Sequence, residues 1–96
     1  MEYHKKLTII IISYKSEKKI NNFIKKIPKD IKVIIIENSN NLQLKKNIEK
    51  KYKNIKVFVK TNDGVAASIN YAVKRIKTKY LLQISPDILF NFKQLN

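Results

Sequence analysis

Seven acidic residues stand among 96, and three of them, Glu37, Asp63 and Asp87, each follow closely on a short apolar run. In open α/β sheets, ligands bind in the crevice outside the carboxyl ends of the strands, so acids delivered there are candidates for a site. Asp87 is the clearest case. Tyr80-Leu81-Leu82-Gln83-Ile84 has the composition of a strand buried on both faces, Ser85-Pro86 forces the backbone out of the ladder, and Asp87 follows. Ser-Pro-Asp is also ordinary turn chemistry, so the tripeptide alone favours a plain turn or cap by roughly two to one. The surrounding elements must decide.

Those elements alternate. Residues 7–12 are a β-branched run without period-2 alternation, expected of a central strand covered on both faces, and the run ends at Ser13-Tyr14-Lys15. Ile20, Phe23, Ile24 and Ile27 recur at helical spacing, which predicts a helix over 16–27 with Ser16 as its cap and Pro28 as its stop. A second apolar run, 31–36, ends in Glu37-Asn38-Ser39-Asn40-Asn41. Leu44, Ile48 and Tyr52 then mark a helix with one narrow apolar stripe. A third strand, 55–59, ends in Lys60-Thr61-Asn62-Asp63-Gly64. Val65, Ile69, Ala72, Val73 and Ile76 keep helical spacing after it, so Asn-Asp-Gly opens a helix capped by Asp63 rather than turning a hairpin. The fourth strand is 80–84.

This β-α-β-α-β-α-β alternation predicts an α/β fold, a doubly wound and mainly parallel half-sheet, in one domain over 1–96. The expected strand order is three, two, one, four. That order puts the topological switch between the first and fourth strands, beside Ser13 to Lys15 and Ser85 to Asp87.

Composition excludes several chemistries. There is no Cys, which removes disulfides, thiolate metal sites and cysteine nucleophiles, and a single His, His4, cannot build a histidine metal cluster. One glycine in the chain leaves neither a G-x-G-x-x-G fingerprint nor a Walker loop. Ser13 has no histidine partner on the rim, so a Ser-His-Asp hydrolase is excluded. The net charge of +14 raises nucleic-acid or polyanion binding. Against it, 20 of the 21 basic residues are Lys, the acids rather than the bases gather at the strand ends, and no RNA-binding aromatic motif occurs. Tyr52, Phe58 and Tyr80 are expected in the core or at its edge. No apolar run reaches the length of a signal-peptide core or a membrane span, so a cytoplasmic location is expected.

The order Ile-Ile-Ile-Ser13-Tyr14, Val-Ile-Ile-Ile-Glu37-Asn38-Ser39, Asn62-Asp63-Gly64-Val65-Ala66-Ala67-Ser68-Ile69-Asn70 and Leu-Leu-Gln-Ile-Ser85-Pro86-Asp87 resembles the amino-terminal half of a family 2 glycosyltransferase, most of all the rhamnosyltransferase-like branch. The resemblance spans about residues 7–90 and implies a nucleotide-diphospho-sugar transferase-like domain. It implies that Ser13 and Tyr14 flank the nucleotide of a nucleoside diphosphate sugar, and that Glu37 stands where the family usually has an Asp contacting the base. It further implies that Asn38 and Ser39 complete that turn, and that Asn62, Gly64 and Asn70 border the donor. Asp87 matches the last acid of an Asp-x-Asp element, implying a divalent metal, Mn or Mg, on the diphosphate. Ser85 replaces the first acid of that element.

In that family the acceptor site and the general base lie in the following half, so the resemblance implies a truncated donor-binding domain, incomplete for catalysis on its own. A completing protein chain or a homo-oligomer is expected at the open edge of the fourth strand. The alternatives are a basic module for nucleic acid or another polyanion, or a non-functional fragment.

Overall fold

The structure is a computed structural model and describes residues 5–61 and 64–85. Four strands and three helices alternate: β1 Leu7–Ser13, α1 Glu17–Ile24, β2 Lys32–Glu37, α2 Leu42–Lys51, β3 Ile55–Val59, α3 Val65–Val73 and β4 Tyr80–Ile84. All pairings are parallel and the order is β3-β2-β1-β4, as the sequence predicts. The register runs Ile9↔Val33, Ser13↔Glu37 and Ile11↔Ile84 about the central strand, and Ile35↔Val57 at its far neighbour.

The apolar run of β1 needs cover on both sides, and the helices divide to provide it. On one face Ile20, Phe23 and Ile24 of α1 and Leu44 and Ile48 of α2 pack with Ile9, Ile11, Val33, Ile35 and Val57. On the other, Ala72 of α3, with half-buried Tyr71 and Ile76, packs on Ile10, Ile34 and Ile36. Ile9, Ile10 and Ile11 are wholly buried. Burying each contributes about 2 kcal/mol.

Three local expectations are corrected. Helix α1 stops at Ile24; Lys26 and Ile27 bond back to the carbonyls of Phe23 and Ile24 in a tightened last turn. Ser16 holds the position before α1, but its hydroxyl donates to the Tyr14 carbonyl at 2.9 Å and makes no side-chain cap. Strand β4 is not buried on both faces: only Ile84 is fully buried, Leu82 is half-buried, and Tyr80 and Leu81 are 43% and 47% exposed. An apolar strand is covered twice only where neighbours stand on both sides, and β4 borders the described sheet. Tyr80 is therefore no core residue, while Tyr52 and Phe58 are half-buried against the core.

The two edges differ. At β3 the Val57 N–H donates to Glu49 Oε2 at 2.8 Å, and Lys45 Nζ donates to the Val57 carbonyl at 2.7 Å and to Glu49 at 2.9 Å. Two side chains of α2 thus occupy the outward backbone groups of Val57, which a further strand would use. Burial alone would raise the Glu49 carboxyl, but the Val57 N–H, the Lys45 ammonium and the charge of Lys56 together hold it below its ordinary value. A carboxylate depressed in the folded state stabilises the fold above its unfolded pKa and loses that contribution as pH falls through the folded one. Glu49→Gln is expected to cost roughly 1 kcal/mol at pH 7, with the deficit shrinking as pH falls through the lowered pKa of the folded carboxyl. Thermal unfolding of both proteins across this range measures it; a pH-independent deficit would assign the loss to packing.

Candidate functional site

The carboxyl ends of β1 and β2 lie side by side, and the ladder carries the chain past them. Asn38 N donates to the Ser13 carbonyl at 2.7 Å and Lys60 N to the Glu37 carbonyl at 2.8 Å. The turns after β1, β2 and β3 are thereby aligned on one rim. The connection after β1 leads to a helix on one face, while β4, on the other side of β1, is reached from α3 on the opposite face. Their divergence leaves the crevice of a topological switch at Ser13.

Glu37 is 1% exposed, and its carboxylate is folded into its own turn. It accepts from Ser39 N and Asn41 N at 2.9 Å each and from the Ser39 hydroxyl. Three donors around one carboxylate offset the desolvation that burial imposes. The Ser39 hydroxyl also accepts from Lys15 N at 3.1 Å, and Lys15 adopts a left-handed φ of +50°. The β1 and β2 turns are thus tied together through one carboxylate and one hydroxyl. Asn41 closes the unit by capping α2, accepting from Leu44 N at 3.0 Å.

A second link joins this turn to α3. Buried Asn38 donates through Nδ2 to the Ser68 hydroxyl at 2.7 Å, and that hydroxyl donates to the Gly64 carbonyl at 3.0 Å. Gly64, not Asp63, is the residue before α3; its φ of +93° is a conformation open to glycine and strained for other residues. No side chain caps this helix end among the described residues. Ser68 was missed by sequence reasoning: a serine in an Ala-rich helix has no local signal, although its position one turn past Gly64 is the spacing that back-bonding requires.

Ser13, Glu37, Asn38 and Ser39 are therefore brought together, with Gly64 attached through Ser68. Tyr14 lies beside them, 49% exposed, with Lys15 Nζ 5.3 Å from its ring centroid. Asn70 is exposed on α3, two positions past Ser68, and so does not share the face that meets Asn38. Ser85 is exposed and follows Ile84, which pairs with Ile11. Asn62, Asp63 and Asp87 lie outside the described residues. Two buried polar atoms at the switch, Ser13 Oγ and Asn38 Oδ1, have no hydrogen-bond partner among the described residues. Among the described residues no group of three His, Asp or Glu side chains could hold a metal, so these residues alone do not make a metal centre. None of the described helices is long and apolar enough to cross a membrane.

Compared with known proteins, the sequence matches the family model of Glycosyl transferase family 2 over residues 8–96. No curated protein matches it in sequence. Among solved structures it is similar to the crystal structure of S. aureus TarS 1-349, with a TM-score of 0.74 and 27% identity. That alignment covers 94% of this chain and 30% of the TarS chain.

Removing the Ser68 hydroxyl tests the link between β2 and α3. Ser68→Ala is expected to lower stability by about 1–3 kcal/mol, because it leaves the Asn38 amide buried without an acceptor. In urea unfolding, the double-mutant cycle with Asn38→Ala is expected to show about 1 kcal/mol of coupling. Additive effects would mean that the two side chains are not energetically joined.

Proposed function

This chain belongs to glycosyl transferase family 2, and on that premise we propose that it binds the nucleoside diphosphate sugar donor of a glycosyl transfer at the β1–β4 switch. The observation that carries the reading is the rim itself. At the switch, where the connections of the sheet diverge, Ser13 and Asn38 present buried polar atoms with no partner among the described residues, beside a turn that Glu37 holds rigid. Preorganised polar groups at such a point suit a nucleotide, whose orientation depends on a few fixed donors and acceptors.

In this reading Ser13 and Tyr14 flank the nucleotide, with exposed Tyr14 offering a ring face. Glu37, with its carboxylate directed into its own turn, shapes the base-side wall together with Asn38 and Ser39. Gly64 and Asn62 border the diphosphate at the amino end of α3, where backbone N–H groups and the helix dipole favour an anion. Asn70, farther along α3, contributes to the donor's outer border, and Ser85 flanks the metal side.

A divalent cation, Mn or Mg, is assigned to Asp87, with one carboxylate from this element where Ser85 stands in place of an acid. Such a cation neutralises diphosphate charge and makes the nucleoside diphosphate a better leaving group. No residue of this chain is assigned as the general base, and the 96 residues are read as the donor side of the reaction. Acceptor and base would come from a completing segment or chain joined at β4.

Thermal unfolding with manganese and a panel of nucleoside diphosphates and their sugars tests this directly. One nucleotide is expected to stabilise the chain by about 2.7 kcal/mol at 100 times its dissociation constant, only with metal present. Asp87→Ala is expected to abolish the metal dependence. A shift that persists in that variant or in chelator would overturn the metal assignment, and no shift for any nucleotide would overturn donor binding.

A further inference from the structure

At the opposite end of the sheet, beneath its α3 face, lies a groove of about 530 Å³ whose lining includes six cationic residues, Lys29, Lys32, Lys53, Lys56, Arg75 and Lys77, against one acid, Asp30. Its origin is topological. Among the described residues the face carrying Ile10 and Ile34 is covered by α3 alone, and α3 lies over β1 and β2. The amino-end part of that face, toward β3, stays open, and Ile34 and Phe58 contribute its apolar surface. Parallel register sets Lys32 beside Thr8 and Lys56 beside Ile34 on the same face. Lys29 and Lys53 come from the connections entering β2 and β3, and Arg75 and Lys77 from the segment after α3.

Like charges around one concavity repel each other and destabilise the fold, an effect that a bound anion would relieve. The site is also amphipathic: cationic and apolar residues line it together. Arg75 is held in place, its guanidinium 3.4 Å from the Tyr71 ring centroid and 5.3 Å from that of Phe58, while its Nη1 donates to the Tyr71 carbonyl at 2.9 Å. Phe58 meets Tyr71 edge-on at 5.5 Å as well. With its ring engaged by Tyr71 and Arg75, Phe58 is a poor stacking platform for a nucleobase, which argues against single-stranded nucleic acid as the occupant. A compact anion with an apolar body meets both parts of the groove.

We propose that this groove is a binding site for a phosphate-bearing amphiphile, with its phosphate on the lysine rim and its apolar portion on Ile34 and Phe58. The site is separate from the donor crevice, which lies at the carboxyl ends of the same strands, and stands or falls independently of it.

Calorimetric titration of the 96-residue chain with dihexanoylphosphatidic acid below its micelle concentration, and with glycerol phosphate, tests the proposal. The short-chain lipid is expected to bind, and more tightly than glycerol phosphate. Replacing exposed Lys32, Lys53 and Lys56 by Gln is expected to weaken it by at least about tenfold, the equivalent of one charge-assisted hydrogen bond. Replacing exposed Lys18, Lys25 and Lys50, which removes the same charge elsewhere, is expected to change it less than twofold. Flotation with phosphatidylglycerol and phosphatidylcholine vesicles separates the sources: capture by the anionic vesicles assigns a membrane lipid, and binding of the monomer alone assigns a soluble phosphate ester. Equal weakening by both triple substitutions, glycerol phosphate binding as tightly as the lipid, or no binding of the lipid would each overturn the site. So would an oligothymidylate that binds more tightly and responds alike to both sets of substitutions.

Discussion

The rest of the fold depends on covering β1. A strand of Leu7, Ile9, Ile10 and Ile11, with hardly any exposed surface, must have a strand on each side and a helix layer on each face. Parallel pairing with right-handed crossovers then allows few solutions, and order β3-β2-β1-β4 is one that lets α1 and α2 fall on one face and α3 on the other. The crevice at Ser13 is a by-product of that burial. Where the connections diverge to cover two faces, the rim between them is left open, and the polar residues that terminate the strands line it.

Rigidity at the rim comes from a different source than the core. Glu37 is buried like an isoleucine but organised by hydrogen bonds, and its three donors come from the residues just after it. A buried polar group without those donors would destabilise the turn, so the conformation of residues 37–41 and the burial of Glu37 support each other. The Asn38–Ser68–Gly64 chain extends this order to α3, across 30 residues of sequence between Asn38 and Ser68. Two separately folded turns are thereby held in one arrangement.

The sequence revealed the elements because two periodicities, unbroken β-branched runs and three-to-four spacing of Ile and Leu, do not overlap in this chain. It also showed that Ser13, Glu37, Asn38 and Ser39 would meet, since all fall at strand ends. What it hid was relational. Asp63 looked like a better cap than Gly64 because side-chain chemistry is visible in a sequence and a φ of +93° is not. Exposure of Leu81 depends on where β4 sits in the sheet, not on the composition of the strand. The lysines looked like solvated helix faces, yet Lys29, Lys32, Lys53, Lys56 and Lys77 come together only through the register of three strands and the single helix on one face.

The Lys45–Glu49 clamp on Val57 gives the sheet a direction. With the outward groups of Val57 engaged by side chains, a further strand is disfavoured at the β3 border and would meet the described sheet at β4. Growth by accretion therefore leaves β1 to β3 undisturbed and moves the switch crevice from near one margin toward the middle of a widening sheet. The segment through β3 would then act as a closed module, and β4 as the border at which a downstream segment joins it.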